Sequence, residues 1–428
     1  MNIERHLFAA LRLGSRSAPG RAVLDRYLAP MNPFDVRRFP DPYPIYRQLR
    51  THGSVAYHPK LDMWLVTGYG AALTSLRADV SCDRSDMAKR LHPYNALQPV
   101  SNDVMLDNLL MQDAPRHTEL RRAMGSYFAP ASIDHLTDLT RSVTEDRLDR
   151  IDRTRGPATV DVVAELLRPV SAAVNARILG VDPDRVDLDR LARVLVRYGE
   201  PLAGFKPGPV DDAVVEAMNL YDRYAVRDRA EGSLWEQVAT AFEPATDRSA
   251  SDLTGSFALQ LIAGHETIVG LMGNAMVALA TADADDTFRQ RLAGGNTEER
   301  IDAVEELARY DSPIQVTDRT TLVDLELDGH HIPAGSVLLI FYGAANRDPD
   351  HFADPDRLQA DRPESRSLSF GSGPHRCIGA HLGVAMAVEV LSAVLQRFPS
   401  YTLAPESGVQ WSQTFTLRRP EALAVRMS

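Results

Sequence analysis

The sequence predicts a mainly α-helical chain with small β-sheets, organised as one domain, and three observations predict it. Apolar residues recur three and four apart through most of the chain, the spacing of half-buried helices. Runs that read as strands are few and short. No repeat, low-complexity tract or Gly/Ser linker divides the 428 residues. With 44% hydrophobic and 25% charged residues, the chain has ample material for a large core.

Residues 1–31 read as an N-terminal arm, because Glu4, Arg5, His6 and Arg12 interrupt any signal-like apolar core in Met1–Gly14. The domain is expected over residues 32–428, starting with the proline-punctuated Asn32-Pro33-Phe34 and Asp41-Pro42-Tyr43-Pro44. A strand, Met63–Thr67, follows and closes at Gly68. Helical spacing then dominates at Ser132–Arg153, Val170–Leu179, Val214–Tyr224 and Thr297–Tyr310, with Gly199–Asp212 as a Pro/Gly-rich loop. The most apolar stretches, Leu253–Gly264 and Ile268–Ala282, are separated by His265, Glu266 and Thr267. Neither reaches the roughly 18 residues of a membrane span, so both are expected in a protein core. Thr321–Asp328 and Ser336–Phe341 read as short strands before the turn-rich Arg347–Arg366.

A formal net charge of −11 argues against a surface built to neutralise nucleic acid or anionic lipid. Cys82 and Cys377 are the only cysteines, which excludes a disulfide scaffold and fits a soluble protein of the reducing cytoplasm.

The sharpest local signal is Phe370-Gly371-Ser372-Gly373-Pro374-His375-Arg376-Cys377-Ile378-Gly379, a glycine-rich loop that delivers one cysteine just before a helical stretch, Ala380–Phe398. A helix N-terminus favours a thiolate, and glycines let backbone pass close to a flat cofactor. The alternative is a buried free cysteine, which is the reading for Cys82. Phe370, Gly373, Cys377 and Gly379 match the signature Phe-x-x-Gly-x-x-x-Cys-x-Gly, and here the sequence resembles the cytochrome P-450 family. The resemblance implies a triangular helical prism with a long central helix over haem b (iron protoporphyrin IX). It implies Cys377 as axial ligand to the iron, Phe370 shielding the sulfur, and His375 reaching a haem propionate.

Glu306 and Arg309 share one helix face and can pair within a turn, as many solvated surface pairs also do. Their surroundings, Glu305–Tyr310 followed by Ser312-Pro313, resemble the family's K helix. The family's Glu-Arg-Arg cluster would take Arg357 as third member, although Leu358 stands where phenylalanine is commoner. Ala263-Gly264-His265-Glu266-Thr267 places polar groups in an apolar helix, where they need a reason. One reason is a helix kink, with Thr267 bonded one turn back and Glu266 paired with a basic residue. The resemblance supplies another: Gly264 leaves room for dioxygen, Thr267 steadies bound oxygen and Glu266 helps relay protons. His117 and Arg121 lie four apart on one helix face in a run resembling the C helix, and Arg319 resembles a later propionate-binding arginine; by composition alone each reads first as a surface charge.

The function so implied is a haem-thiolate monooxygenase that hydroxylates or epoxidises a small apolar substrate, with secondary metabolism or lipid and terpene oxidation as settings. No flavin or iron–sulfur pattern is present. A separate partner, ferredoxin with its NAD(P)H-dependent reductase, is therefore expected, docking near Arg116, Arg121, Arg122 and Arg376. Asp83–Met111, Gly199–Asp212, Ile314–Thr317 and Thr414-Phe415 are expected to line the pocket. Leu109, Leu110, Ile314 and Phe415 point to an apolar ligand. A peroxide-driven peroxygenase and a non-enzymatic haem-thiolate sensor remain the alternatives.

Overall fold

Helices form where apolar spacing places them, and their order brings the glycine-rich loop against the most apolar helix. The computed structural model describes residues 40–58, 62–82, 99–153, 159–199, 207–242, 250–282, 286–363, 366–405 and 408–427. The expected N-terminal arm, the segment 83–98 and residues 200–206 of the expected loop lie outside the described residues.

After α1 (Tyr43–Arg50), strands β1 (Val55–His58) and β2 (Met63–Val66) pair as an antiparallel hairpin. They are followed by α2 (Tyr69–Ser75), β3 (Val80–Ser81), α3 (Pro99–Leu106), α4 (Arg116–Gly125) and α5 (Asp134–Arg153). Strand β4 (Val160–Asp161) and a π-turn over Val163–Leu167 lead into α6 (Arg168–Leu179). Helix α7 (Leu188–Leu195) starts where the Asp187 carboxylate accepts from the Arg190 N–H, a standard N-cap. Helix α8 (Pro207–Tyr221) begins inside the stretch expected to be a loop. Pro207 and Pro209 fall in its first turn, where missing N–H groups leave no helical bond unmade. α9 (Leu234–Phe242) precedes the apolar pair α10 (Ala250–Ala263) and α11 (Glu266–Thr281). Together they make a nearly continuous rod, Asp252–Thr281, long and apolar enough to cross a membrane but with 78% of its 18-residue apolar window buried within the protein, so it is a core helix here.

Helices α12 (Asp286–Gly294) and α13 (Thr297–Tyr310) follow, the second opened by a reciprocal capping box between Asn296 and Glu299. The strand expected over Thr321–Asp328 is displaced and split: β5 covers Val316–Thr321 and β6 Leu325–Leu327, with exposed Leu322 and Val323 at the bend between them. β7 (His330–Ile332) pairs β6, and β8 (Val337–Phe341) completes a five-stranded sheet in the order β1-β2-β8-β5-β3. Every residue of β8 is buried, as a strand covered on both faces requires. A short α14 (Tyr342–Ala345) and the long α15 (Ala380–Arg397) precede a small sheet in which β11 (Pro420–Met427) pairs β4, β9 (Tyr401–Leu403) and β10 (Val409–Trp411). Helix α15 packs against α5, α11, α12 and α13, so the loop before it is anchored to the helical core.

Candidate active site

The loop carrying Cys377 is shaped by backbone constraints readable in its residues. Gly371 and Gly373 have φ of 68° and 72°, a left-handed region that side chains rarely adopt, and a Cβ on Gly373 would run into the Leu76 carbonyl. The Cys377 N–H donates to the Phe370 carbonyl at 2.8 Å and closes the loop. Upstream, the Asn346 amide donates to Ser312 and Ser369 hydroxyls, while its oxygen accepts from the Leu368 N–H at 2.7 Å. This buried polar knot pins the loop to the end of α13, and no sequence signal pointed to Asn346.

Cys377 is accessible, yet desolvated by protein around it, so it faces an internal space. Burial pushes its thiol pKa up, while the Gly379 N–H, Arg376 and Arg121 pull it down. A bound cation would complete the deprotonation, since a coordinating thiol ionises outright.

Beside this loop, four basic side chains converge. His117 is buried, its ring lies 3.9 Å from that of His375, and its Nε2 has no hydrogen-bond partner. Burial lowers the His117 pKa, with Arg121 and Arg319 lowering it further against Asp113. His375 is pushed down to about 3 by burial, then by His117, Arg319 and Arg121. Arg319 is 4% exposed; it donates to the Thr317 hydroxyl and the Asp318 carbonyl and has no carboxylate partner among the described residues. Arg121 donates to the Arg376 carbonyl at 2.7 Å, so it braces the loop as well. Two guanidiniums beside two imidazoles whose protonation burial and those charges disfavour call for an anion. A molecule bearing two carboxylates next to a metal that binds thiolate satisfies this donor set, and haem b is such a molecule.

The helix pair α10–α11 lies opposite. Ala263, Gly264, Thr267 and Ile268 are its accessible stripe, spaced as one helix face. Both the Ile268 methyl and the Phe370 ring lie within 4 Å of where a Cβ on Gly383 would stand, so this face meets the cysteine loop. Thr267 donates back to the Ala263 carbonyl at 2.6 Å across a break at Gly264–His265. Glu266 points the other way, fully buried: Arg168 Nη1 donates to it at 3.1 Å and Arg419 Nε lies 2.6 Å away. The Arg419 contact is an ion pair by proximity only, since neither Arg419 Nε nor Glu266 Oε2 makes an aligned hydrogen bond. At Gly264 a Cβ would meet the Gln260 amide and the Asn175 oxygen, so glycine permits close approach of α6 to α10.

Two assignments change. The third member of the glutamate–arginine cluster is Arg362, whose Nε donates to both Glu306 oxygens at 3.1 Å alongside Arg309. Arg357 is exposed and contributes only its carbonyl, to Arg309 and Arg362. Arg116 is not free for a docking partner: it pairs with Asp252 and Glu119 and covers the Phe242 ring, leaving Arg122 and Arg376 exposed. Of the expected pocket segments, Ile314–Thr317 and Thr414-Phe415 do meet, through the Ile314–Leu417 bridge and the Gln315 N–H on the Thr416 carbonyl at 2.8 Å. Leu109 is buried in the helical core, whereas Leu110 is exposed. Arg168, Arg419 and Asp189, which surround Glu266, carried no sequence signal, because their partners are distant in the chain.

The cytochrome P-450 family model matches residues 302–422. Among curated relatives, the cytochrome P-450 monooxygenase PikC of Streptomyces venezuelae is 30% identical over 402 residues, covering 90% of this chain and 91% of that protein. The polyketide biosynthesis cytochrome P-450 PksS of Bacillus subtilis is 29% identical, covering 93% of this chain and 96% of that one. The crystal structure of CalO2 superposes with a TM-score of 0.81 at 26% identity, covering 93% and 98% of the two chains. The family carries haem b on a cysteine thiolate, a group the donor set above fits, and the chain therefore belongs to the cytochrome P-450 family of haem-thiolate monooxygenases.

Proposed function

We propose that Cys377 holds the haem iron, that His117, Arg121, Arg319 and His375 hold its carboxylates, and that the chain oxygenates a small apolar product of secondary metabolism. The observation that carries this reading is the cluster of two arginines and two histidines beside the thiol loop, held short of protonation at the histidines by burial and by each other and facing the Thr267 stripe. When bound, a thiolate-ligated haem supplies dioxygen activation. The chain's own groups then act around it. The Gly379 N–H and Arg121 stabilise the Cys377 sulfur as thiolate. Phe370 shields it from solvent. Thr267 holds a proton at Oγ1, now given to the Ala263 carbonyl, on the face that meets the loop. Glu266 is the ionisable group next to it, held behind the helix by Arg168 and Arg419, and serves as proton relay. Ile268 and Phe370 exclude water from the space between.

Electrons come from a separate protein, for which we propose a ferredoxin reduced from NAD(P)H in the cytoplasm; neither cysteine is in a disulfide, as that compartment favours. The substrate class is supported by PksS, a protein named for polyketide biosynthesis, and by the apolar Ile314 and Phe415 at the joined pocket segments. Incubation with ferredoxin, reductase, NAD(P)H and ¹⁸O₂ tests this: label should enter an apolar polyketide-like compound that shifts the haem spectrum. Product formed with peroxide but never with the ferredoxin pair would make the chain a peroxygenase instead.

A further inference from the structure

The break at Gly264–His265 is filled from outside the substrate face by a group of charges that the reading above uses only in part. His265 is fully buried and its Nε2 lies 2.9 Å from Asp189 Oδ1. The same oxygen accepts from Arg168 Nη1 at 2.6 Å, and that nitrogen also donates to Glu266 Oε1 at 3.1 Å. Asp189 Oδ2 takes Arg193 Nη2 at 2.9 Å. Asp189 thus competes with Glu266 for the one aligned hydrogen bond that Glu266 has among the described residues.

The ligand atoms of Asp189, His265 and Glu266 lie within 4.8 Å of one another, a spacing that could suit a cation. Arg168, Arg193 and Arg419 already balance the carboxylates of Asp189, Glu266 and Glu421, so a metal would be repelled. The cluster is instead a charge-balanced mount. Asp189 is 23% exposed and lines a surface cavity of about 460 Å³ with Ala172, Pro183 and Leu188, while Glu421, on the other side of the arginines, is 42% exposed. A carboxylate on Nε2 selects the tautomer with hydrogen there, leaving the buried Nδ1, which has no partner, as an acceptor.

We propose that Asp189 is a positioning residue for Glu266, setting through the shared Arg168 nitrogen, and through the His265 ring in the helix break, how firmly the relay carboxylate is held behind the distal helix. The proposal rests on the reading of Glu266 as a proton relay. Because Asp189 sits on α7, the position of that helix is transmitted to Glu266 by two hydrogen bonds.

Asp189→Asn removes the competing charge, leaves Arg168 to Glu266 and Glu421, and loosens the hold on the His265 ring. The holoenzyme should keep its haem content and carbon monoxide band. With surrogate ferredoxin and reductase, peroxide released per NAD(P)H should rise about ten-fold, the scale on which losing an outer partner degrades a positioned group. Asp189→Glu should restore coupling. Independently of turnover, ¹⁵N spectra of histidine-labelled reduced carbonmonoxy protein, assigned with His265→Gln, should show His265 as the Nε2–H tautomer in the wild type and a mixture in Asp189→Asn. Unchanged peroxide yield and tautomer in a variant with a normal band would overturn the proposal. A wild-type Nδ1–H tautomer would overturn it even if Asp189→Asn does not fold. Loss of the carbon monoxide band in the wild type would instead remove the function, and the tautomer would still report whether Asp189 holds His265.

Discussion

Replacing Arg362 by Ala should destabilise the loaded protein severely, whereas Arg357→Ala should not. Arg362 is a buried guanidinium with both Glu306 oxygens at 3.1 Å, and it also donates to the carbonyls of Ala353, Asp354 and Arg357. Removing it leaves a carboxylate that is 5% exposed with one cationic side chain, Arg309, and strips donors from three carbonyls. Breaking one member of a buried pair costs about 3–5 kcal/mol; retention of Arg309 puts the expected loss near the lower end, about 3 kcal/mol. Arg357 offers only its backbone carbonyl, which alanine retains, so its loss should stay within about 0.5 kcal/mol. Urea unfolding of the haem-loaded proteins, followed by far-UV circular dichroism and by the Soret band, measures both. A midpoint unchanged by Arg362→Ala, or lowered as much by Arg357→Ala, would refute the assignment of the third cluster member.

Arg319→Met should release haem to an acceptor globin roughly 10- to 100-fold faster, the range for a lost charge-assisted hydrogen bond, with little change in helix content; an unchanged release rate would take Arg319 out of the carboxylate site. Thr267→Ala should bind haem normally but divert electrons to peroxide, and unchanged coupling of NAD(P)H to product would remove Thr267 from proton handling. His375 is held near 3 by burial and by His117, Arg319 and Arg121, against an ordinary value of 6.5. The unfolded chain therefore binds the extra proton between those values, and haem-free protein should lose stability as pH falls from about 6.5 toward 3. Haem carboxylates oppose that shift, so the loaded protein should lose less between pH 7 and pH 5; equal losses in urea midpoint would contradict an anion site there. Cys82 is buried, its N–H held by Asp113 at 2.9 Å, and Cys82→Ala should leave the haem spectrum intact.

Much of the site was legible because it is contiguous. The Cys377 loop compresses its glycines, cysteine and following helix into one run, and Thr297–Tyr310 is a helix with both ends marked. What escaped depends on contacts between distant residues. Glu306 and Arg362 are 56 positions apart, and the choice between Arg357 and Arg362 rests on how an irregular turn folds back. Arg168 reaches Glu266 across 98 positions. Both readings of the helix interruption proved compatible: Thr267 does bond one turn back and Glu266 does pair with arginines, while Thr267 still lies on the accessible face. Strands β9 and β10 of the C-terminal sheet escaped because they are three residues each, too short for a period of two to register. Helix α8 was misread because prolines break helices only past the first turn.

The most direct test of Cys377 as haem ligand is the absorption spectrum of the purified, reduced protein exposed to carbon monoxide, with Cys377→Ala alongside. A strongly red-shifted Soret band in the wild type, absent from Cys377→Ala, is the expected result. A folded, haem-loaded wild type without that band, or a Cys377→Ala protein that keeps it, would contradict the assignment.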